Sequence, residues 1–210
     1  MTNDVDARTM DVFEAMGSAM TMRWLTDEPV PEEVVRKLIW AGTRASTPEN
    51  SQLWDFIVVT SPEQRARLHR TVVPDIAVLD GVRARTASVT DPVKRRMYDG
   101  GSHLLATLRD APVLIFICAS SWVPGDPKED RYQFAAIYGA AQNMLVAGRA
   151  MGLGVAPTGI HTLNTRGVRA VLGVPDHKII GVTMAVGWAV RPFGPLTRKP
   201  IDDVLHADTW

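Results

Sequence analysis

Residues 132–154 read YQFAAIYGAAQNMLVAGRAMGLG, and this stretch decides how the chain folds. A helix drawn through residues 132–151 is apolar on nearly every side, so it presents no continuous polar face to water. Such a helix belongs in the middle of a protein. Gln142, Asn143 and Arg149 break the apolar run, which therefore falls short of a membrane span. Gly152 and Gly154 end the helix. Downstream, residues 165–172 have the pattern of a short helix stopped by Gly173 and Pro175. Residues 179–186 read as a buried strand, and residues 191–210, with Pro192, Pro195 and Pro200, as an extended tail.

Upstream of the long helix, residues 113–118 and 56–59 are short, continuous apolar runs of the kind a buried strand requires. Ser61-Pro62-Glu63-Gln64 is a helix start, with a serine cap and proline at the first helical position; that helix should run through His69. A second start is Pro31-Glu32-Glu33, followed by Val34, Val35, Leu38 and Ile39 at helical spacing up to about Ala45. Val12, Phe13, Met16 and Met20 mark one side of a short helix within residues 9–19. Residues 26–31 form a proline-rich connector and residues 122–127 a loop. Residues 71–100 carry charges, glycines and prolines without a sustained period, so they are expected to form an irregular lid or insertion. Leu104, Leu105 and Leu108 then indicate a helix leading to Asp110. Strands separated by helices place the chain in the α/β or α+β class. Three strands are few for its length, so a fourth is expected from residues 154–157 or from a partner's tail.

The bulk numbers narrow the function. A chain of 210 residues fits a single domain, with residues 1–8 expected to be flexible. Lysine plus arginine equals aspartate plus glutamate, 23 each, so no global field favours nucleic acid or an anionic membrane. Any bound anion must be held by a local cluster. The acidic N-terminus lacks a signal-peptide pattern, which makes the cytoplasm the expected location. Cys118 is the only cysteine and reads as a core residue; no disulfide or multi-cysteine metal site can form within one chain. His103, His161, His177 and His206 lack metal-site spacing and read as structural or exposed. Gly152-Leu153-Gly154 lacks the third glycine and preceding strand of a dinucleotide fingerprint, and no serine stands in a nucleophile elbow.

Three constellations remain. Ser46-Thr47-Pro48-Glu49-Asn50-Ser51-Gln52, between a helix and a strand, offers short polar side chains and turn amides to a ligand, or is simply a solvated turn. Arg23 and Arg198 lie near helix breakers and carry the planar fork that suits phosphate; either could equally be a surface residue. Pro157-Thr158-Gly159-Ile160 has a glycine where a backbone amide could approach a flat ring, or else turns a strand corner.

Taken in order, these segments resemble the FMN-dependent nitroreductase family over most of the chain, from about Ala19 to Trp210. Ala19-Met20-Thr21-Met22-Arg23-Trp24-Leu25, followed by Pro29-Val30-Pro31, is similar to the family's opening Arg-x-Ser-x-Arg/Lys-x-Phe and Pro-Val-Pro elements. Residues 46–54 resemble its Pro-Ser-x-x-Asn-x-Gln-Pro-Trp loop. Residues 136–145 running into 150–154 resemble its central helix, and Arg198-Lys199-Pro200-Ile201 its closing Arg-x-Pro-Leu element. The departures are Ala19 for the first arginine, Ser46 and Leu53 for two prolines, and Leu196 for a basic residue near the end.

The resemblance implies an α+β fold: a mixed sheet of four or five strands surrounded by helices, a long central helix at a homodimer interface and an extended C-terminal tail. It implies FMN as cofactor, NAD(P)H as co-substrate and a small electron-poor acceptor, with flavin-based catalysis that needs no nucleophilic side chain. Thr21, Met22 and Arg23 fall on cofactor-binding positions, Thr21 and Arg23 along the ribityl-phosphate and pyrimidine side, and Arg198 at the phosphate. Thr47, Pro48, Asn50 and Gln52 fall on the loop that reaches the flavin from the other subunit, and Pro157, Thr158, Gly159 and Ile160 beside the isoalloxazine. One alternative is a related reductase of a quinone, enone or halogenated phenol, with residues 91–98 as a charged lid or simply a solvated loop; another, of a different class, is an FMN-holding protein without turnover.

Overall fold

The long apolar stretch is helix α6 (Glu129–Ala150), and it lies across one face of a four-stranded sheet. The computed structural model describes residues 10–120 and 129–210. The expected flexible start and the loop at residues 122–127 fall outside the described residues. Strands β1 (Trp54–Val59), β2 (Val113–Ser120), β3 (Leu153–Thr158) and β4 (Lys178–Trp188) stand in the order β1-β2-β4-β3. The fourth strand expected near residues 154–157 is β3, supplied by the chain itself. The class is α+β, as implied, but every strand pair is antiparallel, where a mixed sheet was expected. β2 and β3 do run in the same direction and are joined through α6. β4 inserts between them in the opposite sense, so no parallel pair forms.

β2 explains the layering. Side chains alternate across a strand, and here both faces are covered. Val113, Ile115, Ile117 and Ala119 join a core with Ile137, Ala140, Ala141 and Met144 of α6 and with Val35 and Leu38 of α2 (Glu32–Gly42). Leu114, Phe116 and Cys118 join a second core with Leu68 and Val72 of α3 (Pro62–Val72), Leu104 and Leu105 of α5 (Pro92–Ala106) and Val168 of α7 (Thr165–Leu172). Each fully buried aliphatic side chain contributes roughly 1.5–3 kcal/mol. Burial pushes the Cys118 thiol up to about 11, with the Asp55 carboxylate adding to the shift, so it stays protonated in the core.

Glycines set two of the close approaches. A Cβ on Gly148 would come within 2.4 Å of a Val155 methyl, so α6 can lie this near β3 only without a side chain there. The β2–β4 register shifts between Ile117 and Cys118, and Gly181 is the unpaired residue of β4. Below the bulge Ile180 faces the α3 side; above it Val182, Met184 and Val186 face α6.

Residues 71–100 differ most from expectation. They hold the end of α3, all of α4 (Ile76–Ala87) and much of α5, so the segment is helical rather than irregular. Asp75 caps α4 and Asp91 caps α5, each through a carboxylate oxygen accepting a first-turn N–H at 2.8 Å. α4 carries apolar residues all round its axis, with Ile76 exposed and Val78, Leu79 and Val82 half-buried, which hides the helical period. Elsewhere the sequence reading holds: α1 (Val12–Ser18), the Ser61 cap of α3, and the left-handed Gly173 (φ 66°) ending α7 are all present. No helix among the described residues is long and apolar enough to cross a membrane.

Candidate functional site

After α1 the chain runs as a strap beside the edge strand β3 and the end of β4. The Met22 N–H donates to the Val155 carbonyl at 3.1 Å, Leu25 bridges Ala189, and the Thr26 N–H donates to Trp188 at 2.9 Å. Met22, expected at the cofactor, is fully buried beneath Gly154 and has its amide spent in this way. Alternation along the extended strap points it into the core and its neighbours Thr21 and Arg23 outward, both half-buried.

Arg23 lines a cleft of about 400 Å³ with Thr26, His103, Thr107 and Asp110. Its guanidinium pKa is lowered by burial, and no carboxylate pairs with it among the described residues. The Thr26 hydroxyl is also buried without a partner. Beside it, the Trp24 ring stacks on His103, centroids 5.2 Å apart, and the Arg191 guanidinium lies 4.1 Å from its centroid. Gly100 of α5 admits this arrangement, because an added Cβ would sit 3.0 Å from the Trp24 ring. His103, read from sequence as structural or exposed, therefore belongs to the edge of the candidate site. No spacing in the sequence signals it.

The loop after α2 holds three non-glycine residues in left-handed conformations: Glu49 (φ 50°), Asn50 (φ 55°) and Gln52 (φ 48°). Each costs of order 1–3 kcal/mol unless locally compensated. The Gln52 N–H donates to the Thr47 hydroxyl at 3.2 Å, and the Gln52 amide donates to Asn50 Oδ1 at 3.3 Å. Ser51 Oγ is buried without a partner. A turn that merely reversed the chain would not need this strain. Thr47 and Pro48 open onto a cleft of about 560 Å³ against Ala135, Gly139 and Asn143 of α6.

At the end of β3, Pro157 and Thr158 pair with Met184 and Thr183 of β4, and a 3₁₀ turn (Ile160–Asn164) follows. Gly159 is exposed with open space before it, an added Cβ meeting only Thr162 Oγ1 at 3.9 Å. The turn is held by His161, 3% exposed, whose Nδ1 lies 2.9 Å from the Thr183 hydroxyl. Burial lowers the His161 pKa, so the ring is held neutral there.

Arg198 lies elsewhere, exposed on the tail, donating only to the adjacent Thr197 carbonyl at 2.9 Å. With Met16, Gly17, Ala19, Gln142 and Leu196 it lines a cleft of about 380 Å³. The Leu196 N–H donates to the Gly17 carbonyl at 2.8 Å, which fixes the tail to the end of α1. Within one chain the predicted residues are thus divided: Arg23, Thr47 with Pro48, and Arg198 each line a separate cleft. A larger groove of about 740 Å³ between α2 and β1, lined by Val35, Ile39, Trp40 and Val58, holds none of them.

The fold is thus a three-layer α+β one, with cations on its strap and tail that pair with no carboxylate among the described residues and a strained polar loop beside a central helix. The nitroreductase family model matches residues 18–188. A protein of Methanothermobacter thermautotrophicus named as an NADH dehydrogenase/NAD(P)H nitroreductase is 28% identical, with 96% of this chain and 88% of that one covered. Iodotyrosine deiodinase 1 of Rattus norvegicus is 27% identical, over 94% of this chain and 70% of that one. Among solved structures, an FMN- and NADPH-dependent nitroreductase, NfnB, of a Sphingopyxis strain superposes with a TM-score of 0.73 at 21% identity, covering 96% of this chain and 100% of that one. The chain belongs to the nitroreductase family, a family of oxidoreductases.

Proposed function

We propose that this chain is an FMN-dependent oxidoreductase that accepts hydride from NADH or NADPH and reduces small electron-poor acceptors such as nitroaromatics, working in the cytoplasm as a homodimer. The observation that carries the reading is that Arg23, half-buried on the strap, and Arg198, exposed on the tail, each line an open cleft and pair with no carboxylate among the described residues. Cations in two separate clefts suit an extended ligand, with a phosphate at one end and a flat, hydrogen-bonding ring at the other, better than a compact one. The residues fit FMN in chemistry as well: cations, orphaned hydroxyls at Thr26 and Ser51, and an open backbone at Gly159.

Arg198 would hold the phosphate and Arg23, with Thr21, the pyrimidine side. Pro157, Thr158, Gly159 and Ile160 would border the ring, and the turn they enter is kept in place by His161 on Thr183. Bound FMN supplies the hydride chemistry; the protein supplies orientation, electrostatics and exclusion of competing reactions. Thr47, Pro48, Asn50 and Gln52 would complete the site from the partner chain, which would account for the strained backbone at Glu49, Asn50 and Gln52. No side chain is assigned as a general acid. Among the other acceptors, a quinone, an enone or a halogenated phenol, the similarity to the rat deiodinase favours the last.

Heat release and chromatography of flavin from reconstituted protein, with steady-state NADPH and NADH oxidation in the presence of a nitroaromatic, tests the reading. FMN recovery and turnover are expected. FAD, or no flavin after reconstitution, would overturn the cofactor assignment. Bound FMN without turnover would instead support a flavin-holding protein.

A further inference from the structure

We propose that Arg149 of α6 is the second cation of the phosphate site, acting with Arg198; this rests on the FMN reading above. Two features of the tail cleft motivate it. A phosphomonoester carries between about −1.5 and −2 charges at neutral pH, more than one exposed guanidinium neutralises. Yet Ala19 and Leu196, which line the cleft, are apolar, and Ala19 is itself 5% exposed.

The cation arrives from another element. Arg149, in the last turn of α6, donates from Nε to the Ser18 hydroxyl at 2.8 Å. Ser18 stands between Gly17 and Ala19, both lining the cleft. The Ser18 hydroxyl in turn donates to the Glu14 carbonyl at 2.8 Å, so its proton is committed and its lone pair faces the arginine. From the other side, the Arg149 guanidinium lies 4.5 Å from the ring centroid of Phe193, on the same tail that carries Leu196 and Arg198. The side chain is therefore fixed at the crossing of α1 and the tail.

Among the described residues no acid neutralises its charge. Its two terminal nitrogens have no hydrogen-bond partner there. A guanidinium gripped through Nε and a ring face, with its terminal nitrogens free, is preorganised for the oxygens of an oxyanion.

The test compares FMN with riboflavin, which lacks only the phosphate. Dissociation constants are measured on the apoprotein by flavin fluorescence for the parent, Arg149→Gln and Arg149→Lys. The parent should prefer FMN. Arg149→Gln should narrow that preference about tenfold or more, the loss of one charge-assisted bond, with riboflavin affinity unchanged; Arg149→Lys should keep part of it. If the parent prefers FMN and Arg149→Gln keeps the full preference, the assignment of Arg149 fails and the FMN reading stands. If Arg149→Gln weakens both ligands equally, Arg149 is a structural residue only and the proposal fails. A parent that binds FMN no better than riboflavin would overturn the phosphate site and this inference together.

Discussion

Arg23 and Arg198 are alike in sequence and unlike in place. Arg198 is exposed and bonded only to its neighbour's carbonyl, whereas Arg23 is half-buried with its pKa lowered by burial. Truncating Arg198 to alanine removes charge-assisted hydrogen bonds of roughly 1.5–3 kcal/mol each. Arg23→Lys keeps the charge and loses only the fork. Arg198→Ala is therefore expected to weaken FMN binding more than Arg23→Lys, measured by titrating apoprotein; equal constants for both variants and the parent would show the positions are misassigned. Both arginines were legible because arginine beside a helix breaker is a chemical signal. Arg149 was visible only as an interruption of an apolar helix, and its partners Ser18 and Phe193 are distant in sequence, so its role needed coordinates. Met22 shows what a motif leaves out: the resemblance implies a cofactor position, while strap alternation turns its side chain into the core.

His161 gives a pH prediction at the same scale. Its folded pKa lies below the ordinary value, chiefly through burial, with the Ile180 backbone opposing. The unfolded chain takes up that proton near pH 6.5 and the folded chain does not, so stability is complete above about 6.5 and falls as pH drops toward the folded value. His69 shifts in the same direction, through burial and then Arg109. The melting temperature should fall between about pH 7 and pH 5, and His161→Gln should remove part of that slope. An unchanged slope in the variant would mean that His161 is protonated in the folded protein.

Among the elements, helices and strands with one clear face were legible and those without were not. α2, α3 and α7 carry a cap or breaker together with a period. The β2 strand is apolar on both faces and could be seen as buried, but its neighbours could not be deduced, because pairing direction depends on where β4 inserts. α4 and the first part of α5 escaped because half-exposed helices do not need a period; the caps Asp75 and Asp91 were the available signal. α5 matters to the candidate site, since Gly100 and His103 seat it against Trp24 and Arg23. Asp91→Ala removes acceptors for the Val93 and Lys94 amides and should cost about 1 kcal/mol in urea unfolding. It should also perturb Trp24 fluorescence as the helix loosens. A variant of unchanged stability would mean that solvent replaces this cap fully.

For the whole molecule the prediction is an obligate dimer. Phe13 is 78% exposed on α1, and Tyr138 is 55% exposed on α6, next to the cleft of Thr47 and Pro48. Residues 199–210 are exposed throughout, with Ile201, Leu205 and Trp210 among them. Apolar surface of that kind, in a chain whose site residues divide among separate clefts, calls for a partner. An interface completing both should bury more than about 2,000 Å². Folding and association are then coupled, so the melting temperature should rise with protein concentration. Sedimentation at sub-micromolar concentration should find the flavin only in the dimer; a monomer carrying FMN would refute the shared site.

In the function proposed above, this chain passes electrons from a nicotinamide to an acceptor through FMN. Anaerobic addition of NADH and NADPH in turn to FMN-reconstituted protein, followed in the visible flavin absorption, tests it most directly. Stoichiometric bleaching by at least one of the two, with colour restored when a nitroaromatic is added, is the expected result. Bound flavin that stays oxidised with both nicotinamides would contradict the account.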